Sequence, residues 1–143
     1  MSLLKLRKLR KNRGFTLLEI IIVIIIIGVL ASLALPRLFS TIEYSRGTEA
    51  LASIGSIRRS LESYYLQKAS YNTVTLAMLD LTDPGTSPGA HFSYAINGPT
   101  GTGYRVTATR IALDGGTTTD LIEVTQTATT ITRHGTTAFA GIQ

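Results

Sequence analysis

The chain has 143 residues, the size of one ordinary domain, and contains no cysteine, which excludes a disulfide framework and a thiolate metal site. Its formal net charge is +5, from 14 basic and 9 acidic residues, but Lys5, Arg7, Lys8, Arg10, Lys11 and Arg13 all precede the first acidic one. The other 8 basic residues (14 less 6) face 9 acidic ones, a net charge of −1, and so a domain-wide nucleic-acid footprint is excluded.

Residues 1–14 read as a basic leader. Basic residues ahead of an apolar run hold that end in the cytoplasm. Ordinary secretory signals end a short apolar region with a small-residue cleavage site. Here the apolar run is longer, and Ala31 and Ala34 are followed directly by Pro36 and Arg37.

From Phe15 to Leu35 there are 21 residues with one charge, Glu19, enough to span a bilayer core, which takes about 20 residues. The Ile-rich stretch would suit a buried strand, but its length and basic flank favour a helix. Pro36 has no N–H to give to the Ser32 carbonyl, which predicts a kink or a loosened turn there.

The helical period continues beyond the span. Ala50, Ile54, Ile57, Leu61, Tyr64 and Tyr65 form an apolar stripe, with Glu49, Ser53, Ser56, Ser60, Ser63 and Gln67 on the other face. The helix is expected to end near Lys68–Ser70. A continuous helix from Phe15 to Ala69 would be roughly 80 Å long. Arg58 and Arg59 read as a solvated face.

Residues 72–90 form a connector, with a short turn or helix at Leu76–Leu81 and a Pro/Gly loop from Asp83 to Gly89. Residues 91–133 read as β. Phe92, Tyr94 and Ile96 alternate with polar or small residues, as do Tyr104, Val106 and Ala108. Ile122 and Val124 alternate with Leu121 and Glu123, and Ile131 sits in a Thr-rich stretch. A three- or four-stranded antiparallel sheet is expected. About 60 residues bury little core alone, so the stripe Ala50–Tyr65 should cover the sheet and complete an α+β head. The organisation that follows is 1–14 leader, 15–36 transmembrane helix, 37–71 amphipathic continuation and 72–143 loop plus sheet.

The informative segment is Lys11-Asn12-Arg13-Gly14-Phe15-Thr16-Leu17-Leu18-Glu19. A carboxylate at bilayer depth costs about 2.5–3.5 kcal/mol even on lenient insertion scales, so it normally has a partner. A cut between Gly14 and Phe15 would create an ammonium four residues before Glu19, at the end of a helix that itself favours negative charge. Cation and anion would then lie at the same depth in identical chains, which invites pairing between neighbours.

This segment resembles the class III signal of type IV prepilins and related pseudopilins: a basic leader ending in Gly, then Phe-Thr-Leu-x-Glu and a long apolar stretch. The match covers residues 5–39, with looser agreement to about Tyr71. The resemblance implies a pilin-like α+β fold and a structural rather than enzymatic role. A prepilin peptidase would cleave after Gly14 and N-methylate Phe15. The precursor would wait as a single-pass protein of the bacterial inner membrane. Pilus or secretion machinery would then assemble it into a helical homopolymer, extracellular or periplasmic. Glu19 would neutralise the Phe15 amine of an adjacent subunit, and the helix between Gly28 and Pro36 would flex on assembly.

The expected function is therefore that of a structural subunit of a type IV pilus-like filament. The alternatives are a major pseudopilin of a type II secretion system and a membrane-anchored extracytoplasmic binding domain. No cofactor, metal or nucleic-acid partner is expected. Asp114 and Asp120 frame a loop and Glu123 follows, but without the dense oxygen ligands of a calcium site. His91 and His134 lack metal-ligand spacing. Phe39, Tyr44, Tyr64 and Tyr65 are expected to pack against the head or between subunits.

Overall fold

A computed structural model describes residues 14–142; the basic residues of the leader lie outside them. One long helix, α1 (Leu17–Lys68), is followed by short 3-10 turns at Leu76–Met78 and Pro84–Thr86. Four strands come next, β1 (Phe92–Asn97), β2 (Tyr104–Arg110), β3 (Leu121–Gln126) and β4 (Ile131–Gly135), then a third 3-10 turn at Thr137–Phe139. The chain divides into two compact units between Arg37 and Leu38.

In the first unit the apolar side chains from Phe15 to Leu35 stand exposed. This part of α1 is long and apolar enough to cross a membrane, and none of it is buried. The helix is assigned without a break across Gly28 and Pro36. The Ser32 hydroxyl donates to the Val29 carbonyl at 2.7 Å.

The second unit is the α+β head. Its sheet is an antiparallel meander in the order β1-β2-β3-β4. Strand alternation falls as the apolar period requires. Phe92, Tyr104, Val106, Ala108, Ile122 and Val124 are buried, and Ala50, Ile54, Ile57 and Leu61 of α1 join them in one core. Tyr64 and Tyr65 pack at its margin. Helix stripe and sheet face therefore cover each other, each removing the other's apolar surface from water.

The core has further members that alternation did not reveal. Tyr71, Val74 and Leu79 of the connector are buried, as are Phe139 and Ile142 after the last strand. Rings link the far end of α1 to the sheet, with Tyr65–Tyr71 centroids at 4.7 Å and Tyr71–Tyr104 at 4.8 Å. At the near end Gly47 is buried because the C-terminal segment presses on it. A Cβ built there would lie 2.8 Å from Ile142 Cδ1 and 2.9 Å from Phe139 Cδ1.

One expectation needs correction. Arg58 is not simply solvated: it is half-buried, with Nη2 3.5 Å from Gln126 Oε1 in β3, whereas Arg59 is exposed. Phe39 and Tyr44 are exposed and do not join the core of the head.

Candidate functional site

The first expected element is the start of α1. Gly14 and Phe15 precede the helix and are exposed, Phe15 by 79%. Thr16 acts as the N-cap. Its hydroxyl accepts the Glu19 backbone N–H at 3.2 Å, and its carbonyl accepts the Ile20 N–H at 3.3 Å. Thr16-x-x-Glu19 is thus the sequence of a capping box, a pattern within Phe-Thr-Leu-Leu-Glu that charge alone does not reveal. Glu19 is exposed in the first turn, where the unsatisfied N–H groups favour an anion. The capping bond uses the backbone of Glu19, so it leaves the carboxylate uncommitted by that bond.

Gly28 and Pro36 lie inside α1. Beyond its chain neighbours and the helix's own backbone, no atom of the described residues comes within 4 Å of a Cβ placed on Gly28, so packing among these residues does not impose this glycine.

In the head, an ionic cluster that sequence reading missed joins α1 to the end of β2. The Arg110 side chain is wholly buried. Its Nε donates to Glu43 Oε2 at 3.1 Å and Nη2 to Glu43 Oε1 at 3.3 Å. Nη1 donates to the carbonyls of His91 (3.1 Å) and Ile111 (2.9 Å), and Nη2 to that of Leu113 (3.1 Å). All of the guanidinium's N–H donors are therefore used, and the group also lies 5.8 Å from the Phe92 ring centroid. Hydrogen bonding from Arg110 holds the Glu43 carboxyl below its usual range; burial pulls the other way, and Arg46, 2.6 Å from Glu43 Oε1, adds to the lowering.

The β2–β3 loop completes the cluster. Asp114 Oδ2 lies 3.5 Å from Arg46 Nη2 and 3.5 Å from His91 Nε2. Gly116 makes room for Arg110, since a Cβ there would come within 2.5 Å of its Cζ. Of the other acidic residues nearby, Asp120 accepts from the Thr137 hydroxyl and Glu123 pairs with Arg105 at 3.0 Å. A sequence signal for the buried pair existed. Arg110 continues the inward parity of Val106 and Ala108, and Glu43 continues the helical stripe backwards through Gly47 from Ala50.

Comparison with known families matches residues 9–35 to the prokaryotic N-terminal methylation motif. Residues 36–121 match the profile described as type IV minor pilin ComP, DNA uptake sequence receptor. Among individual proteins, type II secretion system core protein G of Escherichia coli is 38% identical over 83 residues, 58% of this chain and 57% of that protein. Its counterpart in Dickeya chrysanthemi is 37% identical over 89 residues, 62% of this chain and 58% of that one. The Vibrio cholerae protein is 31% identical over 83 residues, 58% of this chain and 57% of that one. The chain thus spans less than three-fifths of the length of these curated relatives.

Proposed function

Since the chain belongs to the type IV pilin family, we propose that it is a structural subunit of a type IV pilus-like filament, cleaved after Gly14 and assembled by packing of its N-terminal helices. The observation that carries this reading is the exposed apolar surface from Phe15 to Leu35 with a single carboxylate, Glu19, in its first turn. A simple anchor needs the apolar surface but not the carboxylate.

Residues 1–14 are then the leader and 15–36 the helix that sits first in the inner membrane and then in the filament core. Residues 37–71 carry the head's helix, and 72–143 its loop and sheet. Prepilin peptidase removes the leader and methylates Phe15. Glu19 compensates the new Phe15 ammonium of a neighbouring subunit, which would otherwise be a charge in apolar surroundings. Gly28 and Pro36 loosen the helix on assembly. Exposed Phe39 and Tyr44 supply apolar contacts between subunits. The chain acts by assembly, with no catalytic role.

A second reading has its own support. The relatives cited above are core proteins of type II secretion, which favours a short periplasmic pseudopilus driven by secretion machinery. Recognition of DNA, named in the description of the matched profile, draws less support from this chain's charge. Arg46, Arg105 and Arg110 are each committed to carboxylates.

Electron microscopy of filaments sheared from cells, with mass spectrometry of their subunit, tests the proposal. Surface filaments built of this chain support the pilus. Loss of protein secretion on deleting the gene, without surface filaments, supports the pseudopilus. A chain that stays in the membrane with its leader attached refutes both.

A further inference from the structure

The two edges of the head's sheet differ in charge. At the β4 edge Ile131, Thr132, Arg133 and His134 are all exposed. On the helix-facing side of that edge, Leu51, Gly55, Arg58, Val124 and Arg133 line an open groove of about 220 Å³. The Arg58 Nε is buried there without a hydrogen-bond partner among the described residues. Glu62, 3.8 Å from Arg58, offsets part of the positive charge, and Arg133 extends it into solvent.

The β1 edge is the reverse. A cleft of about 210 Å³ is lined by Glu49, Ser53, Pro84, His91 and Tyr94 among others. Glu49 is exposed on its rim. Glu49 supplies the carboxylate of this cleft, and Asp83, whose Oδ1 accepts the Gly85 backbone N–H at 2.8 Å, adjoins its lining residue Pro84. Among the described residues no lysine or arginine lines it, and its histidine, His91, already faces Asp114 at 3.5 Å.

We infer that copies of this chain dock edge to edge through their heads, the Arg58–Arg133 groove of one receiving the Glu49 rim of the next. The inference rests on the filament reading. The two surfaces are different patches of one chain, so the contact is heterologous: each added copy presents the same unsatisfied surface again, and growth does not close on itself. Opposite charges at the patches select this pairing over β4 against β4, where arginines would meet arginines. Docking also covers Ile131, which is half-exposed on an edge strand, the kind of edge that otherwise recruits unwanted partners.

The chain contains no cysteine, so thiol crosslinking reads the contact without background. Glu49→Cys and Arg133→Cys are introduced into the full chain, singly and together, and the assembled material is treated with a short bismaleimide. The expected result is a ladder of covalent multimers from the double variant and only monomer from each single one. A dimer from Arg133→Cys alone would overturn the inference in favour of a symmetric β4 contact. Microscopy of the parent chain separates the two levels. Filaments without a ladder overturn this interface and leave the filament standing. A ladder without filaments supports the interface and refutes the filament. Neither filaments nor ladder refutes both. As a second arm, Arg133→Glu should reduce assembled material at least tenfold, and adding Glu49→Arg should restore most of it. Assembly unchanged by Arg133→Glu would count against the proposal.

Discussion

Glu43 and Arg110, 67 residues apart, meet in a two-pronged pair of 3.1 and 3.3 Å that ties α1 to the last residue of β2. Because the guanidinium is fully buried, removing its carboxylate strands a charge. Glu43→Ala should destabilise the head by about 3–5 kcal/mol, and replacing both partners by apolar residues should cost less than either single change. Denaturant unfolding of the three variants checks the ordering.

The same pair makes stability depend on pH. The Glu43 pKa is lowered in the folded state, chiefly by the hydrogen bond from Arg110. The group's contribution is therefore full above the ordinary carboxylate range and is lost as pH falls through the lowered folded value. The stability gap between the parent and Glu43→Gln should be constant near neutral pH and close in acid. A gap that widens in acid would mean that the carboxylate is not the stabilising form.

Gly47 is a packing glycine. Gly47→Ala gains about 1 kcal/mol of helix propensity but forces a methyl against Ile142 and Phe139, and overpacking of this kind costs about 1–3 kcal/mol. The net effect should be modest destabilisation, with the C-terminal segment cut earlier in limited proteolysis. Gly47→Val should be markedly worse.

A fragment beginning at Thr41 should be soluble and folded, since it keeps Glu43, Gly47 and the stripe from Ala50 onward. A fragment of residues 72–143 should aggregate. It would expose Val106, Ala108, Ile122 and Val124, all buried in the whole chain, as an uncovered sheet face. Size-exclusion chromatography and circular dichroism distinguish the two.

For Glu19, membrane insertion should survive Glu19→Leu or even improve, and the mature chain should still begin at Phe15 with 129 residues, 143 less the 14 of the leader. Filament formation should fail, because each buried ammonium left unpaired costs about 3–5 kcal/mol. Glu19→Gln keeps the backbone capping bond to Thr16 and removes only the charge. Normal filaments from Glu19→Gln would show that the charge of the residue is not what assembly requires.

Much of this fold is legible in the sequence. The stripe of α1 and the alternation of β1 to β3 follow from periods of 3.6 and 2, because each element has one face to bury. The N-terminal motif was legible because its oddity, a carboxylate in an apolar span, is local. What escaped depends on tertiary pairing. Arg110 sits at an inward position, yet an arginine is read as outward until Glu43 and three loop carbonyls are known to meet it. Phe139 and Ile142 have no period to betray them. Phe139 ends a 3-10 turn and Ile142 follows it, and both seat on the glycine opposite. Arg58 reads as a solvated charge by its helical position, yet its long side chain reaches Gln126 of the sheet, which spacing along the helix does not record.

The seating of Phe139 and Ile142 on Gly47 has one more consequence. The last segment of the head is fastened by packing and hydrogen bonds in a chain without cysteine, so no oxidant or disulfide isomerase is needed to complete the fold, and reductant should leave its unfolding midpoint unchanged. With each strand hydrogen-bonded to the next along the chain, the sheet can form by successive short-range closures. Final docking against α1 then acts as a reversible latch, and a subunit that opens can close again without chemical repair.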